Sequence, residues 1–203
     1  MKKVVWLNPV VKNIYDFAAL KEILQDKGFS VVECEKDHVK SVKNAYKNAL
    51  AQSELIYDSR CPRAVNFIRA NFKEQAVFIS NLNPILIESA LELSTKLKED
   101  EWLYVTTPCE ELAQLGRELN LARTTFLTWK SFKEQNEINL EMKRLGVSPI
   151  PPGFFTNFGV KTLSLGSKEK IENALSYKFS ELKNYQIIEL LYCENGCHNG
   201  DGL

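Results

Sequence analysis

Short apolar runs alternate along the chain with longer segments whose apolar residues recur every three or four positions. Residues 4–7 form the first apolar run, which predicts a strand, and residues 17–24 carry apolar side chains at helical spacing. Gly28 follows that segment at a position that favours the end of a helix. Alternating strands and helices of this kind predict a parallel sheet with helices packed on its faces.

The same alternation continues to the end of the chain. Further strands are predicted at residues 29–32, 55–57, 76–79, 102–105, 124–127, 160–165 and 186–192, and further helices at residues 39–50, 65–72, 112–119 and 168–177. Two strand–helix–strand stretches are similar, because Cys61 and Phe78 are 17 positions apart and so are Cys109 and Phe126. We therefore expect a single α/β domain over residues 1–203, made of two similar, small, intertwined parallel-sheet lobes flanked by helices.

The composition narrows the classes of function. The chain has 203 residues, and 26 basic side chains balance 26 acidic ones, so the formal net charge is zero. A neutral chain lacks the basic surface that nucleic-acid binding usually needs. Its apolar runs are all shorter than the roughly 18–20 residues of a membrane span, and its amino terminus lacks the pattern of a signal peptide. We therefore expect a cytoplasmic protein that binds neither nucleic acid nor a membrane.

Four of the five cysteines follow predicted strands. Cys61 and Cys109 each lie beside a proline where a helix is expected to begin, and Cys193 and Cys197 lie in a loop with three glycines. The carboxyl ends of parallel strands are where such sheets bind ligands. Helix N-termini also favour thiolate over thiol. Because a set of soft thiolate ligands suits an iron–sulfur cluster or zinc, these four cysteines are candidate metal ligands.

Two other interpretations of the cysteines stay open. Cysteine is a common core residue, and this is the interpretation we favour for Cys34. Zinc sites usually take their thiols as close pairs, and only Cys193 and Cys197 form one, although His198 next to them would complete a Cys₃His set. His38, beside an aspartate at a predicted helix start, is expected at the surface.

Three motifs together resemble those of a known family. They are Ser59-Arg60-Cys61-Pro62, Thr107-Pro108-Cys109, and Glu189-x-x-x-Cys193-Glu194-Asn195-Gly196-Cys197-His198-Asn199-Gly200. In this order they resemble the catalytic domain of the iron-only ([FeFe]) hydrogenases over most of the chain. The resemblance implies that Cys61, Cys109, Cys193 and Cys197 hold a [4Fe–4S] cluster in the crevice between two lobes. It also implies that Cys197 is the ligand from which a di-iron subcluster would be bridged.

The departures from the family pattern fall on the side of the di-iron subcluster. Arg60 stands where the family has a cysteine that donates protons. Leu112 and Leu115 replace the lysine and glutamate of the second motif, and Asp201 replaces a glycine after the third. Because a proton-reducing site needs a positioned acid–base relay, these replacements favour a protein without hydrogen turnover.

The resemblance and its departures together predict a hydrogenase-like protein that binds a [4Fe–4S] cluster for redox sensing or electron transfer. Arg60 and the N–H groups of residues 196–202 would stabilise the anionic cluster. A redox partner protein or a fused regulatory domain would be its partner. The alternatives are a divergent [FeFe] hydrogenase, a zinc-stabilised binding module, and a domain cut from a larger regulator.

Overall fold

The computed structural model describes residues 1–75 and 77–203, and it shows an α/β protein. Its strands are β1 (Lys2–Trp6), β2 (Phe29–Val31), β3 (Ile56–Tyr57), β4 (Glu101–Thr107), β5 (Thr124–Thr128), β6 (Thr162–Leu165) and β7 (Ile187–Leu190). Its helices are α1 (Pro9–Ile14), α2 (Phe17–Asp26), α3 (His38–Leu50), α4 (Pro62–Asn71), α5 (Ile85–Thr95), α6 (Glu110–Glu118), α7 (Trp129–Gln135), α8 (Lys168–Tyr177) and α9 (Phe179–Leu182). No helix in the described part of the chain combines the length and apolar character needed to cross a membrane.

The chain forms two compact units, and each is assembled from separate stretches of sequence. Unit 1 comprises Met1–Lys36, Leu86–Ile150 and Cys197–Leu203, and unit 2 comprises Asp37–Ile85 and Pro151–Gly196. Each unit contains one sheet whose strand pairs are all parallel. The predicted fold class, parallel sheets flanked by helices, is therefore confirmed.

The sheet of unit 1 has the strand order β2-β1-β4-β5. Its central strand β1 is covered on both faces, since successive side chains of a strand point in opposite directions. Val5 packs on one face in a cluster with residues of α1, α2 and α7. Val4 and Trp6 pack on the other face with residues of α5 and α6. The apolar run of the sequence thus corresponds to a strand buried on both sides.

The sheet of unit 2 has the strand order β3-β7-β6. Every residue of the central strand β7 is buried. Ile187 packs in a cluster with α3, and Ile188 and Leu190 pack in a second cluster with α4 and α8. Glu189 also lies in this strand and is 1% exposed, so the middle of the sheet contains a carboxylate.

One predicted strand is wrong in the residues that can be compared. Of the predicted strand at residues 76–79, Ala76 lies outside the described residues, and residues 77–79 form no regular strand. Ile79 makes a single parallel bridge to Tyr57, while the side chain of Phe78 is 62% exposed. The run is apolar, but the Phe78 side chain lies outside the hydrophobic core of unit 2. The repeat of 17 positions therefore does not produce two equal strand–helix–strand motifs.

Four helices in the described part of the chain were not predicted, and they are short or lack a clear one-sided apolar pattern. Helix α9 has only four residues. Helix α1 has six residues and begins at Pro9, three positions after the last residue of β1. Helix α7 begins at the residue after β5 and has seven residues. Helix α5 buries Ser89 and Glu92 as well as its apolar residues, so its sequence shows no polar face of the usual kind.

A close approach of α6 to its sheet gives a test of this packing. A Cβ atom added at Gly116 would lie 2.1 Å from the ring of Phe126 on β5. We predict that Gly116→Ala lowers the free energy of unfolding by about 1–3 kcal/mol, because the ring has to move out of a packed core. Gly146→Ala is the control, since nothing lies within 4 Å of the added atom there. Equal denaturant midpoints for the two variants would contradict the packing described.

Candidate functional site

Cys61 lies between strand β3 and helix α4 in unit 2. It is the residue before the first turn of α4, and Pro62 occupies the first helical position, as the sequence predicted. The pKa of the Cys61 thiol is raised to about 11, mainly by burial. Hydrogen bonds from the backbones of Tyr192 and Ala64 lower this pKa, and the charges of Cys193 and Asp58 raise it by smaller amounts. The expectation that the helix N-terminus would favour the thiolate is therefore outweighed by burial in the protein without a metal.

Cys193 follows strand β7 in the same unit. Strands β3 and β7 are neighbours in the sheet, and Cys61 packs in the same apolar cluster as Tyr192, the residue before Cys193. The N–H of Gly196 donates to the carbonyl of Cys193 at 3.2 Å and closes a turn. Asn195 and Gly196 both have positive φ in this turn, which glycine and asparagine adopt most readily. Unit 2 thus brings together two of the four predicted ligands.

Cys109 lies between strand β4 and helix α6 in unit 1. It is 9% exposed and packs against the apolar cluster beside α6. Within the described chain, the Cys109 side chain makes no capping hydrogen bond to α6. Asp201 supplies one, because its carboxylate accepts a hydrogen bond from the N–H of Glu110 at 3.4 Å. A carboxylate is favourable at a helix N-terminus, so Asp201 has a local structural role.

Cys197 begins the short carboxyl-terminal turn of unit 1, which packs directly on the loop that carries Cys109. The N–H of Gly202 donates to the carbonyl of Pro108 at 3.0 Å. A Cβ atom at Gly200 would lie 2.1 Å from the same carbonyl oxygen, and one at Gly202 would lie 3.0 Å from the N atom of Cys109. Only glycine permits these approaches. Unit 1 thus brings the other two predicted ligands into one neighbourhood.

The glycine N–H groups have a different role from the one predicted. Gly196 donates to the carbonyl of Cys193, Gly200 to that of Cys197 and Gly202 to that of Pro108. The first two bonds close local turns, and the third joins the carboxyl-terminal segment to the loop at Pro108. Gly200 and Gly202 allow the backbone to pack closely against the Pro108–Cys109 loop. The N–H groups of these three glycines donate to carbonyl oxygens.

Arg60 also differs from the prediction, because its charge is already paired. The guanidinium contacts the carboxylates of Asp58 and Glu189, and the Arg60 side chain is 6% exposed. Burial lowers the pKa of Arg60, but the two carboxylates raise it by more. Arg60 is therefore a partner of protein carboxylates rather than a free positive charge for a cluster.

The other predicted residues divide between confirmed and wrong assignments. Leu112 and Leu115 pack in the apolar cluster of unit 1, as expected of side chains that take no part in proton transfer. Cys34 is partly buried against the same cluster, which agrees with its assignment to the core. The prediction for His38 is wrong, because it is 8% exposed at the start of α3, where its face of the helix is covered.

His198 is partly buried in the carboxyl-terminal turn beside Cys197. Among the described residues, none makes a hydrogen bond to its buried Nδ1 atom. A buried imidazole nitrogen without a hydrogen bond is costly unless it binds something else. The sequence analysis gives His198 as an alternative zinc ligand, and its buried Nδ1 atom is compatible with that role.

Sequence reasoning missed the buried polar group around Asp58 and Glu189. Both carboxylates are almost completely buried, at 0% and 1% exposure. One signal was present, because Glu189 interrupts an otherwise apolar run that predicts a buried strand. A charged residue within such a run needs a buried partner of opposite charge.

The donor set of these residues fits a metal or an iron–sulfur group. All four predicted ligands are thiols, as is Cys34. Within unit 2, burial and a neighbouring sulfur both disfavour the Cys61 thiolate. A bound cation offsets both effects, because it is the thiolate that coordinates metal. This arrangement is costly for ionised thiols alone and favourable for thiolates around a metal.

Comparison with solved structures identifies the fold. Three structures of [FeFe]-hydrogenase HydA1 from Chlamydomonas reinhardtii, one of an apo form, match 99% of this chain and 79% of theirs, each with a TM-score of 0.59. The sequence identities are 11–13%. No family model and no curated protein sequence matches the chain. The chain therefore has a hydrogenase-like fold, which confirms the resemblance first seen in the three motifs.

The packing of the carboxyl-terminal turn generates a test. We predict that Gly200→Ala loosens the turn from the Pro108 carbonyl by about 1–3 kcal/mol, because the added methyl group meets a backbone oxygen. Carboxypeptidase would then release the terminal residues roughly tenfold faster, since cleavage follows the population of the open form. Gly146→Ala is again the control, and equal release from both variants would contradict this contact.

Proposed function

We propose that this protein is a cytoplasmic redox protein that binds a [4Fe–4S] cluster through Cys61, Cys109, Cys193 and Cys197. The observation that supports the proposal is that, in each unit, the two segments that carry these cysteines are neighbours and follow parallel strands. The proposal adds that both pairs bind one cluster. Its role would be redox sensing or electron transfer with a redox partner protein or a fused regulatory domain.

The local structure suits such a group. Cys61 and Cys109 directly precede α4 and α6, which have ten and nine residues. The positive ends of these helices favour the thiolates of an anionic cluster. Cys109 is also packed among apolar side chains, which limit the access of water to its sulfur. A bound cluster would supply one-electron chemistry, and these residues would hold it and shield it.

Several features support a role without hydrogen turnover. Hydrogen production needs an acid–base group close to the reacting atoms. Arg60 makes ion pairs with Asp58 and Glu189, and it is the residue at the position of the family's proton donor. Leu112 and Leu115 pack in the core of unit 1. Electron transfer requires none of these protons, so the proposed role is compatible with the residues present.

The first test is the iron and acid-labile sulfide content of protein prepared without oxygen. We predict about four of each per chain, the content of one [4Fe–4S] cluster. Serine in place of Cys61, Cys109, Cys193 or Cys197 should remove most of both. Cys34→Ser is the matched control and should retain both. Iron that survives all four ligand substitutions, or is lost equally from the Cys34 variant, would contradict the assignment.

The second test concerns hydrogen turnover. When a synthetic di-iron unit is supplied to the cluster-loaded protein, we expect no hydrogen above the level of the di-iron compound alone, because the chain provides no proton donor at Arg60. The assay measures hydrogen evolved with a chemical reductant. Sustained evolution would instead favour the alternative of a divergent [FeFe] hydrogenase.

A zinc site is the second candidate function, and the orphaned Nδ1 atom of His198 favours it. Three cysteines and one histidine form a common structural zinc set. Zinc would then stabilise a binding module rather than carry electrons. Metal analysis of the same oxygen-free protein distinguishes the two, since zinc without iron, lost in His198→Ala, would support this candidate.

A further inference from the structure

The guanidinium of Arg60 is held by two carboxylates and two aromatic rings within unit 2. Its Nε and Nη2 atoms donate to the two oxygens of Asp58 at 3.0 and 2.7 Å, and Nη2 also donates to Glu189 at 2.9 Å. The rings of Phe154 and Phe155 lie 3.8 and 4.6 Å from its Cζ atom. We call these five residues the Arg60 clamp.

The carboxylates of the clamp are fixed by further hydrogen bonds. Asp58 accepts from the hydroxyl of Tyr46 on α3 at 2.7 Å and from the N–H of Arg60 at 2.9 Å. Glu189 accepts from the N–H groups of Gly153 and Phe154 at 2.6 and 2.9 Å. It also accepts from the hydroxyl of Ser164 on β6. Neither carboxylate can follow the guanidinium if it moves, because each has several partners elsewhere in the unit.

The clamp joins the two segments of unit 2 that lead to Cys61 and Cys193. Arg60 directly precedes Cys61, and Asp58 is in the same loop after β3. Glu189 is in β7, the strand that leads to Cys193. The guanidinium therefore connects the loop before one sulfur to the strand before the other.

We propose that Arg60 is a positioning residue, which fixes the loop of Cys61 against β7 and thereby sets the arrangement of the Cys61 and Cys193 sulfurs. This role deepens the proposed function and rests on it. The fork of the guanidinium accounts for the choice of arginine, because it bonds both oxygens of Asp58 while its flat face stacks on Phe154. A lysine would supply the charge without the fork.

The role also gives a reason for a buried ion pair in this position. Buried ion pairs are seldom a net source of stability, because their desolvation offsets most of the attraction between the charges. Their value in this unit is geometric, since the two carboxylates and the guanidinium admit one arrangement of the loop. A pair of metal ligands needs such an arrangement to be held before the metal binds.

The test compares thiol reactivity at individual cysteines in the metal-free full-length protein. The variants are R60K, R60M and the neutral triple variant D58N/R60M/E189Q, whose amides keep hydrogen-bond acceptors and leave no charge unpaired. We expect alkylation of Cys61 and Cys193 to become roughly tenfold faster in the triple variant, because the loop opens more often, with a smaller increase in R60K. Cys34 and Cys109 of unit 1 serve as internal controls and should keep their rates.

R60K keeps the charges of Asp58 and Glu189 and a cation between them, so a faster rate in that variant reports the geometry of the loop rather than the effect of the Asp58 charge on the pKa of Cys61. Faster alkylation confined to Cys61 and Cys193 supports the positioning role. Unchanged rates at both cysteines, or an equal rise at Cys34 and Cys109, would overturn it, since an equal rise means that Arg60 serves only the stability of the fold. If R60M alone fails to fold, the triple variant and R60K still give the comparison.

A second measurement separates this inference from the proposed function. In protein reconstituted with iron and sulfide, the R60K variant should lose its cluster to a chelator faster than the unaltered chain, although all four thiols are present. If the unaltered chain binds no iron, the proposed function fails, and the alkylation rates of the metal-free protein still show whether Arg60 positions the two cysteines.

Discussion

A carboxylate in the central strand of a buried sheet must be paired and fully hydrogen-bonded, and this constraint organises unit 2. Glu189 meets it with Arg60, with the backbone of the loop at residues 153–154, and with Ser164. These partners come from three separate stretches of the chain. The hydrogen bonds and the ion pair of the Glu189 carboxylate therefore bring these three stretches together. The loop that carries Cys61 is one of them. In this unit, pairing the buried charge of Glu189 in β7 thus fixes the loop before Cys61 against the strand that leads to Cys193.

Unit 1 reaches a similar result by a different physical means. The segments that carry Cys109 and Cys197 come together by backbone packing, because Gly200 and Gly202 lie against the Pro108–Cys109 loop. Steric access replaces charge pairing, and Asp201 adds a hydrogen bond to the start of α6. The two units are therefore sensitive to different substitutions. In unit 1, a methyl group added at Gly200 or Gly202 would disturb the packing of the turn, whereas unit 2 depends on the shape of the Arg60 guanidinium.

The hydrogenase-like fold and the departures from the hydrogenase motifs have one consistent interpretation. The four cysteines of the three motifs follow strands β3, β4 and β7. At the positions that the family resemblance assigns to proton transfer, Leu112 and Leu115 pack in the apolar cluster of unit 1, and Arg60 makes ion pairs with two carboxylates. These three side chains thus serve packing and internal charge pairing.

Periodicity alone determined most of the regular structure, because the spacing of apolar residues reports which faces of a local segment are buried. It placed β1, α2, α8 and β7, and it placed four cysteines at the ends of strands. It failed where burial is not one-sided, as in α5, or where an apolar run such as that of Phe78 finds no place in the core. The roles of single residues such as Arg60 and His38 did not follow from periodicity, because their partners and burial depend on distant segments.

Tertiary structure alone decided the partners of the polar groups. Arg60 and Glu189 are 129 positions apart in the sequence, and no local pattern predicts that they meet. The same holds for the burial of His38 and for the approach of Gly202 to Cys109. Hydrophobic spacing is a property of neighbouring residues, whereas the pairing of a buried charge depends on which distant segments the packing brings beside it.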